Sequence, residues 1–469
     1  MYGSKVIKIF KSLNKAEKVG LRRWVNSPIH NQHTDVIKVV DFLLSKRKIT
    51  PTAVKREKLF HFLYPDSEYN PYRLNHVLSF TVETMEAYIS YLMSKETPIQ
   101  SYFALAEYYK NRALPELAEK ALKKAQIEVD ASVHQDERYY YELFSLEKAF
   151  LNLAGTEKRQ QQTNLQAIFT DLATFTIIAT LRNACTALSH KRLYQKDYQI
   201  PLLAAILEEA GSPAYENNMA VRSYYHSYWA LAEPEEEHHF RHLRDLLLSN
   251  KVPLPKEELR YVCLLAINYC IKRLNMGAEG YVQEVFDIYC FGLEQELWLE
   301  KGYLSHSTFK NIATAALRLK AYDWTNQFIK EYGPKLKASY RKDYVNYIKA
   351  KVLFEQNQFS AALEVLIETD LMDLFIGLAI KILLLKVYWK LEEYDLLETH
   401  LDNFSVYLNR KKVLAYHRQI YGNTILITRK IIYANLALPE EQARLRTLIL
   451  ETNPLTERPW LLAQLEHVK

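Results

Sequence analysis

The densest run of chemistry-bearing side chains in this chain is Glu235-Glu236-Glu237-His238-His239-Phe240-Arg241-His242. On a helix, His238 and His242 share a face at i, i+4, a spacing that lets two imidazoles approach one metal ion. The order is not HExxH, and no further ligand is evident in the sequence. The run also reads as a solvated helix start, with acidic residues drawn to the positive end of the helix dipole. We adopt that reading and expect neither a metal nor any other cofactor.

Other chemistries lack their motifs. The chain has no GxSxG, GxGxxG or Walker sequence, and its 11 glycines include no GxG. Nucleophile elbows and phosphate-cradling loops need such glycines. A non-enzymatic protein is therefore expected. The four cysteines, Cys185, Cys263, Cys270 and Cys290, include no CxxC pair. Cys263 and Cys270 read as one helix face, about 10 Å apart along the axis and too far for a disulfide. Four such thiols suit a reducing compartment, and the expected location is cytoplasmic. The first residues, MYGSKVIKIFKSLNK, lack the apolar stretch of a secretory signal. The longest apolar run, Leu378 to Trp389, is broken by Lys381 and Lys386, so no segment approaches the roughly 20 residues of a membrane helix and no transmembrane segment is expected.

Charge is unevenly spread. Residues 1–60 hold fourteen basic and four acidic residues, net +10 against +6 for the whole chain. So concentrated a field attracts polyanions, nucleic acid among them, or it only solvates a helical surface.

The elements that would position these groups read as helices throughout. Gly is scarce and apolar residues recur at a spacing near 3.6, which argues against a β-rich fold. Asn14 with Glu17 forms a capping-box pattern opening a helix that ends before Pro28. A second helix covers about 33–46, Thr50-Pro51 starts a third that runs to Tyr64-Pro65, and Asn70-Pro71 starts a fourth. Near the C-terminal end a helical-hairpin pattern returns, with aromatics Tyr322, Phe359 and Tyr394 spaced 37 and 35 residues apart. Such a period marks stacked helix pairs, an α-solenoid. The expected fold is all-α, without β-sheet. It divides into a basic helical domain at 1–96, irregular hairpins at 97–303, and regular repeats with a closing cap at 304–469.

Residues 99–130 resemble the tetratricopeptide-repeat family. Tyr102, Leu105, Ala106 and Tyr109 lie on one face of a first helix, and Ala118, Leu122 and Ala125 on the facing side of a second. The family's Trp is Tyr here and its final Pro is absent. The whole chain also resembles a large bacterial family of Tyr-rich helical-repeat proteins, through stretches such as Ala266-Ile267-Asn268-Tyr269-Cys270 and Leu317-Arg318-Leu319-Lys320. The tetratricopeptide resemblance implies antiparallel helix pairs and a protein- or peptide-binding scaffold. Carried over position by position, it implies a partner-binding groove on the first helix of each C-terminal unit. That groove would hold Lys310 and Arg318, then Tyr344, Tyr347 and Lys351, then Lys386, Trp389 and Lys390. Lys310 fits the family's fifth position, but Thr314 replaces the usual Asn at the ninth. The basic bias implies an acidic partner. The alternative is that half of these side chains pack against neighbouring helices.

Overall fold

The computed structural model describes residues 1–153, 164–194, 196–249, 251–369, 373–410 and 415–466. The protein is all-α, 76% helical, with 23 α-helices among the described residues. It divides into two compact units, Met1–Thr176 and Ile177–Lys469. The divisions at 96/97 and 303/304 read from the sequence fall inside these units.

The first unit contains α1 (Lys5–Ser12), α2 (Lys15–Val25), α3 (Thr34–Leu44), α4 (Arg56–Leu63) and α5 (Pro71–Glu96). These are followed by α6 (Pro98–Lys110), α7 (Pro115–Asp130), α8 (Glu137–Leu153) and the start of α9 (Leu165–Tyr194). The Asn14–Glu17 capping box is present. The Asn14 side chain accepts from the Glu17 amide at 2.9 Å, and the Glu17 carboxylate accepts from the Asn14 amide at 2.7 Å. Helix α1 has no capping signal of that kind, yet Val6, Ile7 and Phe10 bury one face of it. They join Leu21, Val36, Leu59, Leu74 and Met85 in one core. Thr50-Pro51 makes a turn instead of a helix start, and α4 begins only at Arg56. Helices α6 and α7 form the hairpin expected at 99–130, with Ala106 and Ala118 buried at its seam. Leu105, expected on that seam, is exposed.

The second unit takes in the rest of α9, then α10 (Leu203–Ala210), α11 (Met219–Ala232), α12 (Glu237–Leu248), α13 (Lys256–Asn275) and α14 (Tyr281–Glu294). A two-residue hairpin follows, β1 (Leu299–Glu300) against antiparallel β2 (Tyr303–Leu304). This small sheet corrects the expectation of none; Lys301 and Gly302 supply its positive-φ turn. Next come α15 (His306–Arg318), α16 (Tyr322–Tyr332), α17 (Ala338–Glu355), α18 (Phe359–Ile367), α19 (Leu374–Lys390) and α20 (Tyr394–Arg410). The chain ends with α21 (Ala415–Ile432), α22 (Pro439–Glu451) and α23 (Arg458–Glu466). Consecutive helices pack as pairs: α11 on α12, α13 on α14, α15 on α16, α17 on α18, α19 on α20. First helices also pack on one another, α15 on α17 and α17 on α19.

One turn recurs. Lys320, Asn357 and Glu392 each adopt left-handed φ, at 57°, 60° and 61°, two residues before the aromatic that opens the next helix. In each, the following amide reaches back over the helix end: Ala321 to Ala316 O at 3.0 Å, Gln358 to Leu353 O at 2.8 Å, Glu393 to Tyr388 O at 3.1 Å. The left-handed residue's own amide bonds one carbonyl further on, as at Lys320 to Leu317 O. This is the Schellman closure of a helix C-terminus, built here without glycine.

Among the described residues one helix, Leu165–Lys191, is long and apolar enough to cross a membrane, with mean hydropathy 1.2. By length and composition alone it departs from the reading that no segment approaches that length. Asp171, Arg182 and several threonines interrupt the stretch, so no continuous apolar run announces it.

Candidate functional site

Helices α15, α17 and α19 set three lysines, Lys310, Lys351 and Lys386, within electrostatic reach of one another. Lys351 is half-buried and makes no hydrogen bond or ion pair among the described residues. Burial holds its ammonium below the usual lysine range. Glu355 and Glu457 oppose that shift from beyond contact distance, while Lys386 and Lys310 add to it. An ammonium in this position is missing the counter-charge that a buried lysine ordinarily keeps.

Lys386 is compensated differently. Its Nζ pairs with the carboxylate of Glu457, in the short connection between α22 and α23, and lies 5.7 Å from the centre of the Trp460 ring. Trp460 meets Trp389 edge to face at 5.7 Å. Tyr347 completes the cluster; burial raises its hydroxyl pKa, and the nearby Glu457 and Tyr421 raise it further. Three cations, the carboxylates of Glu457 and Glu355, and a set of aromatics thus share one region of the second unit, with only Glu457 in contact with a lysine.

The other groove residues read from the sequence are placed elsewhere or only at the margin. Arg318 ends α15 and pairs with Glu279. Tyr344 lies on the Lys351 face of α17 but is buried; its ring packs against His306 at 4.9 Å and its hydroxyl donates to Asp373 at 3.3 Å. Lys390 is exposed at the end of α19. Glu457, Trp460 and Tyr421 carry no sequence signal for this site, because they lie outside the hairpin repeat that pointed to the lysines.

The histidine run behaves as a packed cluster. His226 of α11, buried, meets His239 of α12 with their Nδ1 atoms 3.0 Å apart, so one donates and the other accepts. His226 also stacks on His242 at 4.9 Å, while His242 Nδ1 lies 2.8 Å from the His238 carbonyl. Burial, aided by Arg222 and the neighbouring imidazoles, pushes His226 down to about 3. Burial with His238 and His242 takes His239 to about 4. Both are neutral at neutral pH. Among the described residues no three His, Cys, Asp or Glu side chains are grouped so as to hold a metal ion. The partner His226 was not legible, since it lies nine residues before the run.

All four cysteines are free thiols, three buried and Cys290 half-buried. Burial raises each of them, Cys263 and Cys290 to about 12, so none is a ready nucleophile at neutral pH. In the first unit, a cavity of about 420 Å³ opens between α6, α7 and α8, with Phe103, Tyr141 and Phe144 on its walls and Lys110 and Lys148 among its polar groups.

Comparison of the chain with known protein families, with curated proteins and with solved structures finds no match.

Proposed function

We propose that this protein is a non-enzymatic, tetratricopeptide-like helical-repeat scaffold that works without a cofactor in the cytoplasm. It binds an acidic segment of a protein or peptide partner at the lysine–aromatic cluster of its second unit. The observation that carries this reading is Lys351, a half-buried ammonium that lacks a partner and stands between two further lysines. A carboxylate delivered there would gain charge-assisted hydrogen bonds in a partly desolvated site. Tyr347, Trp389 and Trp460 would supply apolar contact once the segment docks. The three first helices α15, α17 and α19 would form one wall of the solenoid's groove, presenting one lysine each.

The test is fluorescence anisotropy with a fluorescein-labelled oligoglutamate peptide. Wild-type protein should bind it, and oligolysine of the same length should not bind. Lys351→Gln should weaken binding about tenfold, the loss expected for one charge-assisted contact. Tyr347→Ala should mainly speed dissociation. Equal binding by wild type and Lys351→Gln would remove this reading.

A second reading has its own observation. Lys8, Lys15, Lys48, Lys55 and Lys58 are exposed and make no ion pair among the described residues. This favours a polyanion, including nucleic acid, at the first unit.

A further inference from the structure

The lysine cluster already contains a carboxylate. Glu457 belongs to none of the helices that carry the lysines; it sits immediately before α23. Its backbone is in the left-handed region at φ 58°, a conformation that disfavours any residue with a Cβ. Backbone strain of this kind persists only where surrounding structure holds it. Here that structure is visible. The Asn423 amide donates to Pro454 O at 2.8 Å, the Thr424 hydroxyl to Thr456 O at 3.4 Å, and Arg458 Nη2 to Thr452 O at 2.7 Å. The connection is a fixed platform that aims one acidic side chain at Lys386.

The geometry of charges is incomplete in a telling way. Glu457 satisfies Lys386 and leaves Lys351 and Lys310 without a contacting carboxylate. The Glu457 side chain is 30% exposed, so it can turn toward water without burying its charge. Lys386 is 18% exposed and would be left desolvated and uncompensated if Glu457 departed alone. Departure is therefore unfavourable unless another anion arrives. Exchange of one carboxylate for another keeps Lys386 compensated throughout, and a ligand with two or more acidic groups would also reach Lys351.

Building on the reading of this cluster as an acidic-segment site, we propose that Glu457 is a built-in competitor. Its carboxylate holds Lys386 in the free protein and is displaced by an acidic residue of the partner. The site then selects partners with at least two closely spaced acidic groups, because a single carboxylate would only replace one already present. The fold changes little on binding: one side chain turns and the backbone platform stays.

The experiment compares four proteins with the fluorescein-labelled oligoglutamate probe at fixed salt. Glu457→Gln should bind about fivefold more tightly than wild type, the scale of one modest ion pair. Glu355→Gln removes the same formal charge near Lys351 but frees no ammonium, and should gain less. Glu457→Asp keeps the charge on a shorter side chain and should gain an intermediate amount; it also covers the case in which Glu457→Gln does not fold. If Glu457→Gln binds no more tightly than wild type, or no more tightly than Glu355→Gln, the competitor is overturned while the binding reading stands. If none of the four proteins binds the probe, the binding reading falls and the competitor falls with it.

Discussion

The guanidinium of Arg182, on α9, grips the carboxylate of Glu258, on α13, through two parallel hydrogen bonds, Nε to Oε2 and Nη2 to Oε1, both 2.8 Å. The hydroxyl of the buried Tyr224 donates to the same carboxylate. Burial alone would push Glu258 up; the bonds from Arg182 and Tyr224 outweigh it and hold the carboxyl below its ordinary 4.5. The three groups tie α9, α11 and α13 together inside the second unit.

Removing that carboxylate should therefore be costly. Glu258→Ala leaves Arg182 half-buried without its partner and Tyr224 without an acceptor, and should destabilise the unit by about 2–4 kcal/mol in denaturant titration. Adding Arg182→Met should recover part of the loss, because it removes the orphaned charge. The pH dependence has a definite sign. A carboxyl with a depressed folded pKa contributes its stability above its unfolded value and loses it as pH falls through the folded one. The difference between wild type and Glu258→Gln should be constant near neutrality and should shrink below about pH 4.5.

The repeated turn offers a stability test with an internal ranking. Lys320, Asn357 and Glu392 occupy the same left-handed position. A Cβ there costs about 1 kcal/mol or more, and Asn tolerates the conformation best. Glu392→Gly and Lys320→Gly should each stabilise by about 0.5–1 kcal/mol, net of the extra entropy glycine has when unfolded. Asn357→Gly should gain least. Equal gains at all three positions, or losses, in thermal melts would mean the turns are held by something other than their backbone conformation.

The imidazole cluster sets an acid limit. His226 and His239 are pushed down to about 3 and about 4 from an ordinary 6.5, with Arg222, His238 and His242 facing them. The unfolded chain binds protons in that window and the folded one resists them. Stability is thus full above about 6.5 and is lost as pH falls toward 4. His226→Asn, which keeps a polar side chain, should flatten the decline by up to about 1 kcal/mol per pH unit. His400, pushed down to about 4 by burial, contributes its own slope and remains in the variant. An unchanged slope across pH 4 to 6.5 would place the proton uptake elsewhere.

What was legible in the sequence follows the physics of each signal. Amphipathic spacing and side-chain caps are local, so the Asn14–Glu17 box and the 99–130 hairpin could be read directly. The turns could not, because glycine usually marks a Schellman closure and here Lys, Asn and Glu stand in its place. Lys351 and Lys386 were reachable because they occupy the same position of successive first helices, and Lys310 because it falls about one turn earlier on the first helix before them. Glu457 and Trp460 were not, because only tertiary packing brings the α22–α23 connection to α19. Tyr344 shows the converse limit: spacing assigns a face, but whether that face is covered depends on Asp373 and His306, residues at other points along the chain.

The last expectation concerns the first unit and its excess of cations. Deleting residues 1–60 is not a clean test, since Val6, Ile7, Phe10, Leu21, Val36 and Leu59 lie in the same core as Leu74 and Met85. Truncation would unfold the domain along with removing its charge. Some of the cations are also already engaged: Lys5 with Glu86 at 2.6 Å and Arg22 with Asp41 at 3.0 Å. The informative variant replaces only exposed lysines without an ion pair, Lys8, Lys15, Lys48, Lys55 and Lys58, by Gln. If this surface binds polyanions, the variant should elute from heparin at clearly lower salt with its helical spectrum and melting temperature unchanged. For duplex DNA, the slope of log affinity against log salt should fall by about 0.9 for each phosphate contact removed. Retention equal to wild type would show that these charges serve only to solvate the domain, and the acidic-segment reading of the second unit would stand alone.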